Sequence, residues 1–253
     1  MKSLTKKISV LLLLSVTFFL SSCLDSSSGS WIGNQEFSYI DKDEATGTIY
    51  ARTEVGYYIT SEKIKTLTPG ATAELSYQID FDEAQQTLIG ENKNVIIYHA
   101  TLAGEPNILD QSTLRTIEDA PDVPPVYFES IVNPTYADNE HFGDRWKIPF
   151  TIKLKKGETP KVSFYLQSEE FDPTSDEVII DIRVKIVGEA EEGATEKIAG
   201  DIVVANMSEL RTMFSGIDSD KLNIKFRFYR SANKDELYTS QQAYPIRIFK
   251  DSI

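Results

Sequence analysis

Alternation of apolar and polar residues recurs along most of this chain. It is clearest over 178–187, where Ile180, Ile182, Val184 and Ile186 alternate with Asp181, Arg183 and Lys185. A period of two sends successive side chains to opposite faces of a pleated backbone, so this segment is predicted as a strand with one buried face. Ile148, Phe150, Ile152 and Leu154 repeat the pattern against Lys147, Thr151, Lys153 and Lys155, with Pro149 suggesting a sheet edge. A loop at 156–160 is expected to join this run to Val162, Phe164 and Leu166 as a hairpin, and 197–205 is the expected mate of 178–187. Leu222, Ile224, Phe226 and Phe228 alternate again, and 244–249 closes the chain with Pro245 pointing to an edge strand open to docking. One helical turn is predicted over 208–214, with Ser208 as its N-cap and Glu209 in its first turn. About seven strands and one short helix fit an antiparallel β-sandwich over 126–253.

The first half reads as shorter strands at 37–40, 48–53, 57–60, 73–79 and 95–102, divided by turn residues such as Glu54-Val-Gly56 and Thr68-Pro-Gly70. Five strands in 31–105 fit a small barrel or sandwich. Gly104, Pro106, Pro121, Pro124 and Pro125, with several acids among them, mark 106–125 as a linker, with a short turn of helix near 114–117. The predicted fold class is therefore all-β, in two strand-rich blocks.

The first 30 residues follow another logic. Lys2, Lys6 and Lys7 precede the apolar run 8–20, which ends in Leu20-Ser-Ser-Cys23. The run is short of the roughly 20 residues that cross a bilayer as a helix, and small residues before a cysteine form a lipoprotein signal. Cleavage between Ser22 and Cys23 is expected to remove 1–22 and leave Cys23 lipidated, with 23–30 (Leu24-Asp-Ser-Ser-Ser-Gly-Ser30) as a tether. The expected location is the outer membrane, with its periplasmic side favoured over surface exposure, the alternative, because no dense acidic stretch follows the cysteine. The membrane is then a partner through the anchor.

Loss of Lys2, Lys6 and Lys7 with the signal takes the formal charge from −13 to −16, since no acidic residue precedes Cys23. Such a surface repels nucleic acid, which is not an expected partner. Cys23 is the single cysteine, so no disulfide framework is possible. The two histidines, His99 and His141, stand in no metal-ligand spacing, and there is no phosphate loop or nucleophile elbow. No catalytic residue, metal or cofactor is expected. The acidic runs 41–44, 172–177 and 189–192 lie between strands and read as solvated loops. Aromatics remain: Tyr57, Tyr58 and Trp146 are the candidate binding residues, since exposed rings stack on sugars, although packing is the ordinary fate of an aromatic at strand spacing.

Several stretches together resemble the NigD-like family of bacterial envelope lipoproteins. They are the Cys23 lipobox, Gly56-Tyr-Tyr-Ile-Thr60, Leu67-Thr-Pro-Gly70, Leu75-Ser-Tyr-Gln-Ile79, Ile182-Arg-Val-Lys-Ile186, Ile202-Val-Val-Ala-Asn-Met-Ser-Glu-Leu210 and Leu222-Asn-Ile-Lys-Phe-Arg-Phe-Tyr229. The resemblance implies a small OB-like barrel followed by the β-sandwich, and an immunity or accessory role. It supplies no catalytic residues. The function expected is thus a non-enzymatic, lipid-anchored binding or accessory protein of the cell envelope with a protein or glycan partner. The alternatives are a fimbrial or adhesin-type subunit assembling by strand addition, and a glycan-binding accessory lipoprotein.

Overall fold

The computed structural model describes residues 29–90, 94–115, 120, 125–136, 143–166 and 172–248. Ser22, Cys23 and His141 lie outside the described residues. The described residues are all-β with a single short α-helix, as the alternation predicts.

The N-terminal half contains β1 (Ser30–Lys42), β2 (Ile49–Thr53), β3 (Tyr58–Thr60), β4 (Thr72–Asp80), β5 (Gln86–Ile89), β6 (Val95–His99), β7 (Thr101–Leu102) and β8 (Asn107–Arg115). The expected hairpin forms between β2 and β3. Hydrogen bonding runs in the order β8, β4, β1, β2, β3, β6, β5, around a core of Ile40, Ile59, Leu75, Tyr77 and Ile79. Within β1 a bulge between Gly33 and Glu36, with Gln35 at φ +48°, turns Glu36 inward. There the Tyr77 hydroxyl donates to Glu36 Oε2 at 2.5 Å. Burial first, and then this bond, push the Tyr77 hydroxyl well above the ordinary tyrosine range.

The C-terminal half contains β9 (Phe128–Ile131), β10 (Arg145–Leu154), β11 (Thr159–Leu166), β12 (Glu177–Val187), β13 (Lys197–Asn206), α1 (Ser208–Met213), β14 (Lys221–Arg230), β15 (Asn233–Thr239) and β16 (Tyr244–Arg247). Trp146, Ile148, Phe150 and Ile152 of β10 meet Ile180 and Ile182 of β12 and Ile224 and Phe226 of β14 in one core. Leu210 of α1 and Phe214 just after it are fully buried in the same core. Met207, not Ser208, is the N-cap of this helix, and it makes no side-chain cap bond. Asn206 Oδ1 accepts from the Ser208 N–H at 3.1 Å instead.

The two faces of the expected sandwich are joined at both edges. Seven strands close a ring in the order β8, β11, β12, β14, β9, β10, β13. Its closures are slender: Leu114 and Arg115 lie beside Phe164 and Tyr165 on one side, and Arg230 beside Phe128 on the other. Joining the edges leaves fewer unpaired backbone groups than an open sandwich would. The ring is also mixed, with β12–β14, β13–β8, β11–β8 and β14–β9 parallel.

Two expected strand pairings are not made. β10 does not pair with β11, nor β12 with β13; β10 pairs with β13 and β9, and β11 with β12. The connections 155–158 and 188–196 are arches that cross from one face to the other and stack. The Glu191 N–H donates to Lys156 O at 2.8 Å, and Lys156 Nζ reaches Glu191 Oε2 at 2.8 Å. Gly157 and Gly188 make the stacking possible. Their φ angles are +95° and +87°, and a Cβ on either would lie 2.3 Å from Glu189 O or 2.5 Å from Gly157 O.

Pro149 is not at an edge, because β9 and β13 flank β10. Its carbonyl accepts from the Val132 N–H at 2.9 Å, and N and C=O of one strand residue point the same way. The missing donor therefore faces the chain just past the end of β9, where no ladder needs it. The segment 106–125, expected as a linker, contains β8 over most of its first half, and Leu114 and Arg115 are strand, not helix. Asp110-Gln-Ser-Thr113 has no apolar alternation. Backbone pairing with β4, β13 and β11 holds it extended. β8 thus ties the two halves together, and Phe37, Leu109 and Val204 form a small core at the junction beside the Lys147–Glu74 ion pair at 3.3 Å.

Candidate functional site

The aromatic residues singled out in the sequence do not converge. Trp146 is fully buried, stacked on Tyr136 at 4.2 Å and 9°, with its Nε1 donating to Gly143 O at 2.8 Å. It is a core residue out of reach of any ligand. Tyr57 joins Trp31, Phe81 and Tyr98, but the rings meet at 49° to 84° and offer no common plane for a sugar. Tyr58 packs 5.9 Å from Tyr50 and 5.4 Å from the Arg52 guanidinium, which is itself bound to Asp41 at 2.6 Å. His99 shares a 3.0 Å bond with Thr87 Oγ1. Among the described residues, no group of three or more His, Cys, Asp or Glu is placed to hold a metal ion.

The acidic turns are structural. Asp43 Oδ2 accepts from both the N–H and the hydroxyl of Thr46, at 2.8 and 2.6 Å, and these bonds hold its carboxyl below the usual range. Asp172 does the same with Thr174. At the C-terminal edge β16 pairs, among the described residues, with β14 alone, and Ile246 and Ile248 face the core, so these two side chains are not offered to a partner.

A different site emerges on the outer wall of the barrel. The register of β11 and β12 sets Lys161 opposite Lys185, Ser163 opposite Arg183, and Tyr165 opposite Asp181. Asp181 lies beside Arg227 of β14. Because these strands bury their other face, the polar set shares the outside. A cleft of about 660 Å³ opens there, with Val126 as an apolar wall and Tyr229 and Arg115 at its sides. Among the described residues, its lining holds four cations, Arg115, Lys161, Arg183 and Lys185, and no carboxylate. In a chain of formal charge −13 that segregation is a structural choice.

The cleft is firmly built. Asp181 is 1 % exposed and accepts from Arg183 Nη2 at 2.9 Å and from Arg227 Nε at 2.5 Å and Nη2 at 3.2 Å, which fixes two guanidinium planes. Arg183 also lies over the Tyr229 ring at 5.1 Å, and Arg115 over Tyr165 at 5.4 Å. Tyr127 meets Tyr229 edge-on at 6.2 Å. Lys161 reaches Asp110 on β8 at 2.5 Å, an exposed pair that leaves its ammonium at the rim. Oriented guanidiniums and exposed ammoniums at an open cleft can receive an oxyanion. Only the β11–β12 register reveals the site; the hairpins expected from sequence separate Lys161 from Arg183 and Lys185.

No family model matches the chain, and no curated protein matches it. Solved structures do. An uncharacterized protein from Parabacteroides merdae is similar over 85 % of this chain and 99 % of its own, at 12 % identity and a TM-score of 0.55. A candidate lipoprotein from Bacteroides fragilis is similar over 88 % of this chain and 100 % of its own, at 13 % identity and a TM-score of 0.54. The neighbours include a NigD-like immunity protein from Bacteroides caccae, at 13 % identity over 84 % of this chain and 95 % of its own, with a TM-score of 0.48. At such identities the first two likenesses establish a shared fold.

Proposed function

We propose that this chain is a non-enzymatic, lipid-anchored binding protein of the cell envelope, of the NigD-like type, and that it receives an anionic ligand in the cationic cleft. The observation that carries the reading is the gathering of Arg115, Lys161, Arg183 and Lys185 around one cleft of a strongly acidic chain, with no carboxylate among the described residues of the lining. A cleft lined by one sign of charge focuses the field and raises the local concentration of its counter-charged ligand. The Leu20-Ser-Ser-Cys23 signal supports anchoring at the outer membrane, periplasmic side. An anchored module acts at high local concentration, so a modest affinity suffices. Assembly by strand addition is the weaker alternative. The open edge of β11 beside the ring closure carries Pro160 and Lys161, both of which resist strand pairing. The aromatic cluster around Tyr57, with its crossed planes, gives no support to neutral glycan binding.

The test is retention of the detergent-purified protein on a polygalacturonate matrix and on dextran sulfate, at low and moderate salt. Retention is expected to fall with salt and to be lost in Lys161→Glu/Lys185→Glu. If that double variant is retained as well as the parent, the cleft is not the binding surface.

A further inference from the structure

We infer that the cleft is a site for a phosphate monoester, a dianion, in preference to a carboxylate or a sulfate; the inference rests on the anionic-ligand reading above. Lys161, Lys185, Ser163 and Arg183 occupy four adjoining outward positions on β11 and β12. Residues facing each other across an antiparallel pair have Cβ atoms about 5 Å apart, and positions two apart on a strand about 7 Å. Three cationic side chains and one hydroxyl therefore start from a patch small enough to close on a single tetrahedral group. Such a group has three free oxygens to accept from them, where a carboxylate has two. Like charges directly opposite on paired strands are destabilising, so the Lys161–Lys185 pair has a cost that a bridging dianion would offset.

Charge points the same way. Among the described residues, the charged groups at the cleft besides the four cations of the lining are Asp110, held by Lys161, and Asp181 with Arg227 beneath Arg183; Tyr165, Tyr229 and the neighbouring Tyr127 are its other titratable side chains. Leaving Arg115 out of the count, these are four cations against two carboxylates among the described residues, a surplus of two suited to a charge near −2. Val126 and the Tyr229 ring, next to the patch, give the organic part of the ester an apolar contact. The shared chemistry is a phosphate ester on a carbon skeleton, whether a lipid headgroup or a sugar supplies it.

The experiment is isothermal titration of the full-length protein in neutral detergent with phenyl phosphate, phenyl sulfate and benzoate, at pH 5.5 and 7.5. The second ionisation of a phosphate ester lies near pH 6, so affinity for phenyl phosphate should rise about fourfold across this interval. Phenyl sulfate keeps one charge throughout and reports any change in the protein's own groups, so its affinity should be weaker and flat by comparison. Lys185→Glu, an exposed position, should weaken phenyl phosphate at least tenfold, whereas Lys153→Glu on the remote β10 should not. Equal and pH-independent binding of phosphate and sulfate overturns the phosphate inference and leaves the anionic cleft standing. No binding of any of the three, or equal binding by the Lys185 and Lys153 variants, overturns both. With phosphate binding in hand, short-chain phosphatidate against glucose 1-phosphate assigns the source to lipid or sugar.

Discussion

Gly188→Ala tests the stacked arches on which the strand order of the barrel depends. Two costs add at this position. The φ of +87° lies in the left-handed region, which costs a residue with a Cβ about 1–2 kcal/mol. The new methyl would also stand 2.5 Å from Gly157 O, a backbone atom of the partner arch that cannot turn aside, and overpacking of this kind costs about 1–3 kcal/mol. Reduced freedom of the unfolded chain returns about 0.4–1 kcal/mol, leaving a net loss of about 1–5 kcal/mol. Gly193→Ala is the matched control. It lies in the same connection at φ +75°, but nothing stands within 4 Å of its Cβ position, so only the conformational cost of about 1 kcal/mol applies. For a chain of this size each kcal/mol moves Tm by about 2–4 °C, so scanning calorimetry should show a drop of roughly 2–20 °C for Gly188→Ala, larger than the roughly 2–4 °C of Gly193→Ala. If Gly188→Ala melts no lower than Gly193→Ala, the two arches do not stack as described.

Asp181→Ala should destabilise by about 3 kcal/mol in urea unfolding, because it strands Arg183 and Arg227, only 15 % and 19 % exposed, without their shared counter-ion. Lys225→Ala, which breaks a more exposed pair with Glu177, should cost less than about 1 kcal/mol, and equal losses would refute the distinction. Tyr77 keeps its proton in the folded chain at pH values where an unfolded tyrosine, with a pKa of about 10, gives it up. Its contribution is therefore complete below pH 10 and lost as pH rises beyond it, so Tyr77→Phe should show a shallower decline of the urea midpoint between pH 9 and 11 than the parent; an unchanged slope would count against the buried Tyr77–Glu36 pair. Cys23→Ala should accumulate as an unprocessed precursor that takes up no labelled fatty acid, and a labelled Cys23→Ala band would remove the lipoprotein assignment.

The sequence by itself determined which residues turn inward. Alternation at 148–154, 178–187 and 222–228 named the barrel core, since a period of two leaves only one face that can be buried, and the β2–β3 hairpin was legible from its own turn. The proposed lipobox is equally local, a string of residue types over 20–23. Strand partnership is not a local property. Each alternating strand can pair with any other of like pattern, and nearness in sequence favoured β10 with β11 and β12 with β13. Two glycine arches stacked across the barrel gave β10–β13 and β11–β12 instead. β8 was invisible for a related reason: Asp110-Gln-Ser-Thr113 carries no apolar signal, and the strand exists because three neighbours satisfy its backbone. Trp146 shows the limit from the other side, as an aromatic in a strand reads alike whether it faces ligand or core, and here Tyr136, Phe226 and Tyr244 enclose it. The cationic cleft is the most tertiary feature of all. Lys161 and Lys185 lie far apart in sequence and become opposite neighbours only through the β11–β12 register, so the charge that a ligand would meet was set by strand pairing and hidden by the net charge of the chain.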